Sequence, residues 1–108
     1  QLLEEDVSVP SALSFHCQQA SEKYLKAFLS WHQVYFPKTH DLEKILALVG
    51  TVDEKLAESL KSIIILTPYG VELRYPGDRP EVSDAEAHQT VELATTVRDA
   101  IKKNLPEL

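Results

Sequence analysis

His40 and Asp41 stand side by side where a short helix is expected to begin. A neighbouring carboxylate can orient an imidazole, so His40 is a candidate acid/base or phosphate-binding group. Asp41 also has a purely local explanation, because negative charge suits a helix start. Gln19, Lys23 and Lys26 form a polar row on one side of a long helical stretch. Lysine is a point charge suited to phosphate, and a glutamine amide can hydrogen-bond a base edge. The simpler reading of the same row is a solvated helix face with a Glu22–Lys26 pair at i, i+4 spacing. Arg74, Tyr75 and Arg79 fall in a turn-rich stretch. An arginine there can clamp phosphate through paired donors, and a tyrosine can stack on a base. Either can instead fasten the loop to the body of the protein. Arg74, Arg79 and His88 are the weak candidates for catalysis. His88 is otherwise a surface residue, and His16 lies at the edge of an apolar arc.

Bulk properties narrow these readings. The chain has 108 residues and a net charge of −6, with 44% apolar and 26% charged residues. That fits one soluble globular domain, residues 1–108, and argues against a general electrostatic grip on nucleic acid. The one cysteine, Cys17, can form no internal disulfide and supplies no zinc ligand set, so it reads as a small buried hydrophobe. No metal motif, glycine-rich phosphate loop or Ser/His/Asp set is present, and no cofactor is expected. No apolar run approaches the ~20 residues a membrane span needs. A cytoplasmic location is expected.

The elements that must position the polar residues read as helices. Gln1–Glu5 looks like the tail of a helix whose beginning is absent from this chain, and Val7–Pro10 reads as a linker. Ser11 is a plausible N-cap for a helix running to about Val34. Leu13, Cys17, Ala20, Tyr24, Ala27, Phe28 and Trp31 mark its apolar face, with Gln19, Glu22, Lys23 and Lys26 opposite. Leu25 and Leu29 widen the apolar arc. After Pro37, Thr39 caps a short helix whose inner face is Leu42, Ile45, Leu46 and Val49, and Gly50 ends it. Thr51-Val52-Asp53-Glu54 matches a capping box for the next helix. That helix continues through Leu56, Leu60, Ile63 and Ile64, with a short strand as the competing reading of the Ile run, and Pro68 ends it. Thr67–Pro80 holds three of the six prolines and two of the three glycines, and reads as an ordered loop. Ser83-Asp84-Ala85-Glu86 is a second capping box. The final helix runs to about Leu105 with Ala87, Val91, Ala94, Val97, Ile101 and Leu105 inward, and stops at Pro106. The expected architecture is all-α, an up-and-down bundle of four to five helices.

Three stretches together resemble a known family. Phe15-His16-Cys17-Gln18-Gln19-Ala20-Ser21-Glu22-Lys23-Tyr24-Leu25-Lys26-Ala27 is similar to the helical QQAxEKxLKA-like signature of the HEPN domain. Phe36-Pro37-Lys38-Thr39-His40-Asp41-Leu42 resembles its "P…HDL" segment, and Tyr69 followed by Arg74-Tyr75-Pro76 its "Y…RYP" loop. The resemblance implies a dimeric bundle of about five helices, tied to nucleotide and RNA chemistry and paired with a minimal nucleotidyltransferase in a toxin–antitoxin-like system. It implies that Gln19, Lys23, Lys26, His40, Asp41, Tyr69, Arg74 and Tyr75 contact the ligand. Members that are metal-independent endoribonucleases carry an Arg and a His separated by four to six residues. Here Arg79 and His88 are separated by eight.

Three functions follow as expectations. The first is a homodimeric module that binds nucleotide or RNA beside a nucleotidyltransferase. The second is a metal-independent endoribonuclease using His88 or His40 with Arg74 or Arg79. The third is a structural dimerisation domain with Leu25 and Leu29 on its outer surface.

Overall fold

The computed structural model describes residues 9–71 and 82–106. The expected helix tail at Gln1–Glu5 lies outside them, as do Arg74, Tyr75 and Arg79. The described chain is all-α. Helix α1 spans Val9–Trp31, α2 Leu42–Val52, α3 Glu54–Ser59, α4 Thr67–Val71 and α5 Asp84–Asn104, with a 3-10 turn at Lys61–Leu66 between α3 and α4. No strand occurs among the described residues.

Helix α1 begins earlier than the sequence pattern suggests. Pro10 sits in its first turn, where a missing N–H costs nothing. Ser11 is therefore inside the helix and buried, not its cap. The buried face is also turned from the expected one. Ser11, Ser14, Gln18, Ser21, Leu25 and Phe28 line the seam, with Glu22 and Leu29 beside it. Their alternating spacing of three and four is that of a helix–helix seam. Leu13 and Trp31 are exposed instead. Small serines in the first half let α5 approach closely, and α5 is the most extensive neighbour of α1. Thr90 of α5, itself buried, donates to the Ser14 hydroxyl at 3.3 Å. Val9, Pro10 and Leu13 border one groove with Asp84, Ala87 and His88, so the two long helices start at the same end of the bundle.

The second half of the seam enters the core. Leu25, Phe28 and Leu29 pack with Leu42, Ile45, Leu46 and Val49 of α2, Leu56 of α3, and Val97 and Ile101 of α5. Leu25 and Leu29 are wholly buried within the one chain, which removes the motive for a dimer surface made of them.

Helix α1 stops at Trp31, short of Val34. Gln33 adopts φ 58°, the left-handed region, while Val34 N–H donates to Leu29 C=O (2.9 Å) and Gln33 N–H to Ser30 C=O (3.1 Å). This bond pair closes a helix end in a position usually given to glycine. The chain then turns back as the connection Val34–Asp41.

The α2–α3 junction departs from expectation. Gly50 does not end α2, which continues to Val52. A Cβ on Gly50 would meet the Ala57 Cβ at 3.5 Å, ordinary contact. The capping box expected at Thr51 is not formed. Asp53 caps α3 instead, accepting the Leu56 N–H at 3.0 Å. An aspartate placed to satisfy that donor outcompetes a threonine two residues earlier. Beyond it, Leu60, Ile63 and Leu66 are buried at every third residue, the period of the 3-10 turn that Leu60 caps and the other two lie in. The Ile run is thus neither strand nor α-helix. Pro68 lies in the first turn of α4 rather than ending a helix. The Ser83–Glu86 capping box forms as expected, and Lys102 and Lys103 occupy the last turn of α5.

Candidate functional site

A buried carboxylate organises the middle of α1. The sequence pattern puts Glu22 on the solvated side, yet it is 5% exposed. Gln18, Glu22 and Lys26 follow at i, i+4 spacing and form one stripe that leaves the seam at Gln18. Lys26 Nζ donates to Glu22 Oε1 at 2.7 Å and to the Thr39 carbonyl at 2.9 Å. Its ammonium also lies 5.7 Å from the centre of the Phe36 ring, within cation–π range. Gln18 Nε2 donates to Glu22 Oε2 at 3.1 Å and to the His40 carbonyl at 3.4 Å, and Gln18 Oε1 accepts from Gln19 Nε2 at 2.9 Å. His40 Nδ1 stands 3.0 Å from both Glu22 oxygens.

The imidazole's partner is therefore Glu22, across the bundle, and not the adjacent Asp41. Asp41 caps α2, its carboxylate accepting the Glu43 N–H at 3.0 Å. Thr39, expected to be that cap, instead accepts the Asp41 N–H at 3.1 Å. Burial alone pushes the Glu22 pKa up. Hydrogen bonds from Lys26, His40 and Gln18, with the charge of Lys26, outweigh it and hold the carboxyl below its usual range. Glu22 is ionised at neutral pH, and Lys26 offsets its charge.

Helix α4 completes the arrangement. Thr67 Oγ1 accepts the Leu42 N–H at 3.1 Å, fixing the start of α2. Gly70 is buried against Gln18 so closely that an added Cβ would stand 2.0 Å from the Gln18 amide carbon. Tyr69 donates to Glu86 Oε2 at 2.8 Å, tying α4 to the first turn of α5.

The expected site residues thus divide. Gln19, Lys26 and His40 meet in one cluster, and Lys23 is exposed on the same helix. Lys26 is spent on internal partners, so it holds the site together more than it reaches outward. Asp41 and Tyr69 are engaged in capping and tethering. His88 is exposed on the groove bordered by Val9, Leu13 and Val91. Leu13 lies nine residues before Glu22, about 13 Å along α1, so His88 is not brought to His40. His16 is exposed, its ring edge-on to Phe15, and Cys17 is buried. Sequence reasoning missed Gln18, Glu22, Thr67 and Gly70. The i, i+4 repeat of polar residues at 18, 22 and 26 was the available signal, and its inward direction was not.

His40 is the group left facing outward, with 62% of its side chain exposed. A buried anion behind an exposed imidazole can steady proton transfer or an anion contact. No group of metal-ligating side chains forms among the described residues.

Compared with known protein families, the chain matches the HEPN domain over residues 2–105. It belongs to the HEPN family. The match takes in the α1 stripe, the Thr39–Asp41 connection and α4, the segments that meet at Gln18 and Glu22 in this HEPN domain. Neither the curated proteins nor the solved structures gave a match. Among the described residues, no helix of the HEPN domain is long and apolar enough to cross a membrane.

Proposed function

We propose that this HEPN domain binds a nucleotide or an RNA at the face carrying His40. It does so as a cytoplasmic homodimer that works with a nucleotidyltransferase in a toxin–antitoxin-like pair. The observation that carries the reading is the Glu22–His40 contact at 3.0 Å. A buried charge costs stability unless it is well partnered. Here three donors from two segments serve Glu22, and one of them belongs to an exposed ring. Packing alone gives no reason to fix an exposed imidazole in this way. Family membership supplies the ligand class, since HEPN domains are tied to nucleotide and RNA chemistry. Gln19 and Lys23 on α1, and Arg74 and Tyr75 beyond α4 in the sequence, are the proposed further contacts.

Isothermal titration with ATP, GTP and a short RNA tests this. The reading expects at least one to bind, and His40→Ala to weaken binding by tenfold or more while leaving the fold intact by circular dichroism. It fails if none binds and no nucleotidyltransferase co-purifies with the protein from its own cells.

A further inference from the structure

Glu22 does more than steady the ring, because an ionised carboxylate can only accept hydrogen bonds. Its pKa is held low, so the carboxylate is charged throughout the range in which histidines usually titrate. Two of its oxygens lie 3.0 Å from His40 Nδ1. A bare Nδ1 lone pair there would face two anionic oxygens at hydrogen-bond distance and be repelled. Nδ1 must therefore carry the proton in both the neutral and the charged imidazole. The neutral ring is fixed as the Nδ1–H tautomer, and its Nε2 then bears a lone pair.

The consequence concerns what Nε2 can hold. A phosphate oxygen has no proton to give in its anionic form. It can bond to Nε2 only when Nε2 carries a hydrogen. In most histidines the neutral ring can supply that hydrogen by switching tautomer, but here the switch would break the contact to Glu22. Only the imidazolium presents an outward N–H.

Electrostatics agree with this. Lys26 and Glu22 offset each other at 2.7 Å, so the stripe behind His40 carries no net charge. Protonation of His40 then makes the cluster net positive at its exposed end. The other charged groups of the surrounding elements are Lys38 in the same connection, Lys23 on α1, and Asp41 and Glu43 at the start of α2. The Asp41 carboxylate is turned to the Glu43 N–H. From α4, Thr67 serves the Leu42 N–H, and Tyr69 donates to Glu86. None of these substitutes for Glu22 at Nδ1 among the described hydrogen bonds.

We propose that His40 is a protonation-gated phosphate contact, with Glu22 as the positioning residue that makes the gate by fixing the ring's tautomer. The inference rests on the nucleotide- or RNA-binding reading above and adds to it the atom, the ligand group and the regulation. The ligand group is an anionic phosphate, supplied either by a nucleotide's terminal phosphate or by an RNA phosphodiester. Binding is then strongest at mildly acidic pH and weakens as pH rises. The limiting slope is about tenfold in Kd per pH unit, the signature of one linked proton.

The test uses the full chain with two probes, ATP and a short RNA whose phosphodiesters do not titrate near neutrality. Binding is measured from pH 5.5 to 8 for the wild type, His40→Gln and Glu22→Gln. The wild type should weaken several-fold or more across the range with the RNA, the ATP, or both, which identifies the source of the phosphate. His40→Gln should lose the pH dependence. In Glu22→Gln the new amide can donate to Nδ1, which moves the ring hydrogen to Nε2. That variant should retain binding at pH 8 where the wild type has lost it. Because Glu22→Gln could disturb the fold, a second readout uses the wild type alone. The 15N shifts of the neutral His40 ring should report a protonated Nδ1 and a bare Nε2. The inference is overturned if the neutral ring shows a protonated Nε2, or if every probe that binds does so with no pH dependence. If neither probe binds at any pH, the binding reading itself fails, whatever the ring nitrogens report.

Discussion

Glu22→Ala is the most discriminating change to the architecture of the site. It deletes the acceptor for Lys26 at 2.7 Å, His40 at 3.0 Å and Gln18 at 3.1 Å. Gln18 is fully buried and keeps only the longer bond to the His40 carbonyl through its amide nitrogen. Removing one partner of a buried ion pair costs about 3–5 kcal/mol. Lys26 lowers that figure, because its side chain is 22% exposed and keeps the Thr39 carbonyl. His40 adds little, because most of its ring is already in water. The expected loss is therefore about 2–3 kcal/mol, from a buried pair with partial relief by solvent. With m of about 1–3 kcal/mol per M urea, the unfolding midpoint should fall by roughly 0.7–3 M. Lys23→Ala, one residue along on an exposed position, should stay within about 0.5 kcal/mol of the wild type. Urea unfolding at pH 7, followed by circular dichroism, makes the comparison. Equal midpoints for the two variants would refute the claim that Glu22 is a buried, fully engaged anion.

Three further outcomes follow from the same contacts. The Glu22 pKa is lowered on folding, so its contribution to stability is present above the unfolded carboxylate value of about 4.3 and lost as pH falls through the lower folded value. Unfolding midpoints between pH 7 and 3 should therefore drop more steeply for the wild type than for Glu22→Gln. Gly70→Ala should destabilise by about 1–3 kcal/mol, since its Cβ forces the Gln18 amide out of its bonds, whereas Gly50→Ala should be neutral or stabilise by up to about 1 kcal/mol within α2. Thermal melts of the pair decide this. Asp53→Ala should cost about 1 kcal/mol as the loss of a helix cap, while Thr51→Ala should cost little, which urea titration of both variants can resolve.

Much of this fold is legible in the residues because its helix ends and apolar repeats are strong. The Ser83–Glu86 box, the inner face of α2 and the inward Ala87, Val97 and Ile101 of α5 follow from local pattern. The face of α1 does not, because the first half of its seam is made of serines and Gln18. A hydrophobic stripe drawn through Leu13 and Trp31 follows the greasy residues and misses the close-packed ones. The Ile run misleads for another reason: residues at every third position fit a 3-10 turn, and apolar composition alone does not separate that from strand or α-helix. At the site, His40 and Lys26 stand out as residue types, and their roles do not. Asp41 is beside His40 in sequence, and Glu22 is its partner in space. Only the return of the Val34–Asp41 connection along α1, set by the left-handed Gln33, brings them together.

The central claim is that the face around His40 receives the ligand. Backbone amide NMR of the full chain during titration with ATP or a short RNA tests it most directly. The largest shifts should gather at Gln19, Lys23, His40 and Asp41. Shifts confined to the distant groove of Val9, Leu13 and His88, or no shifts at millimolar ligand, would contradict it.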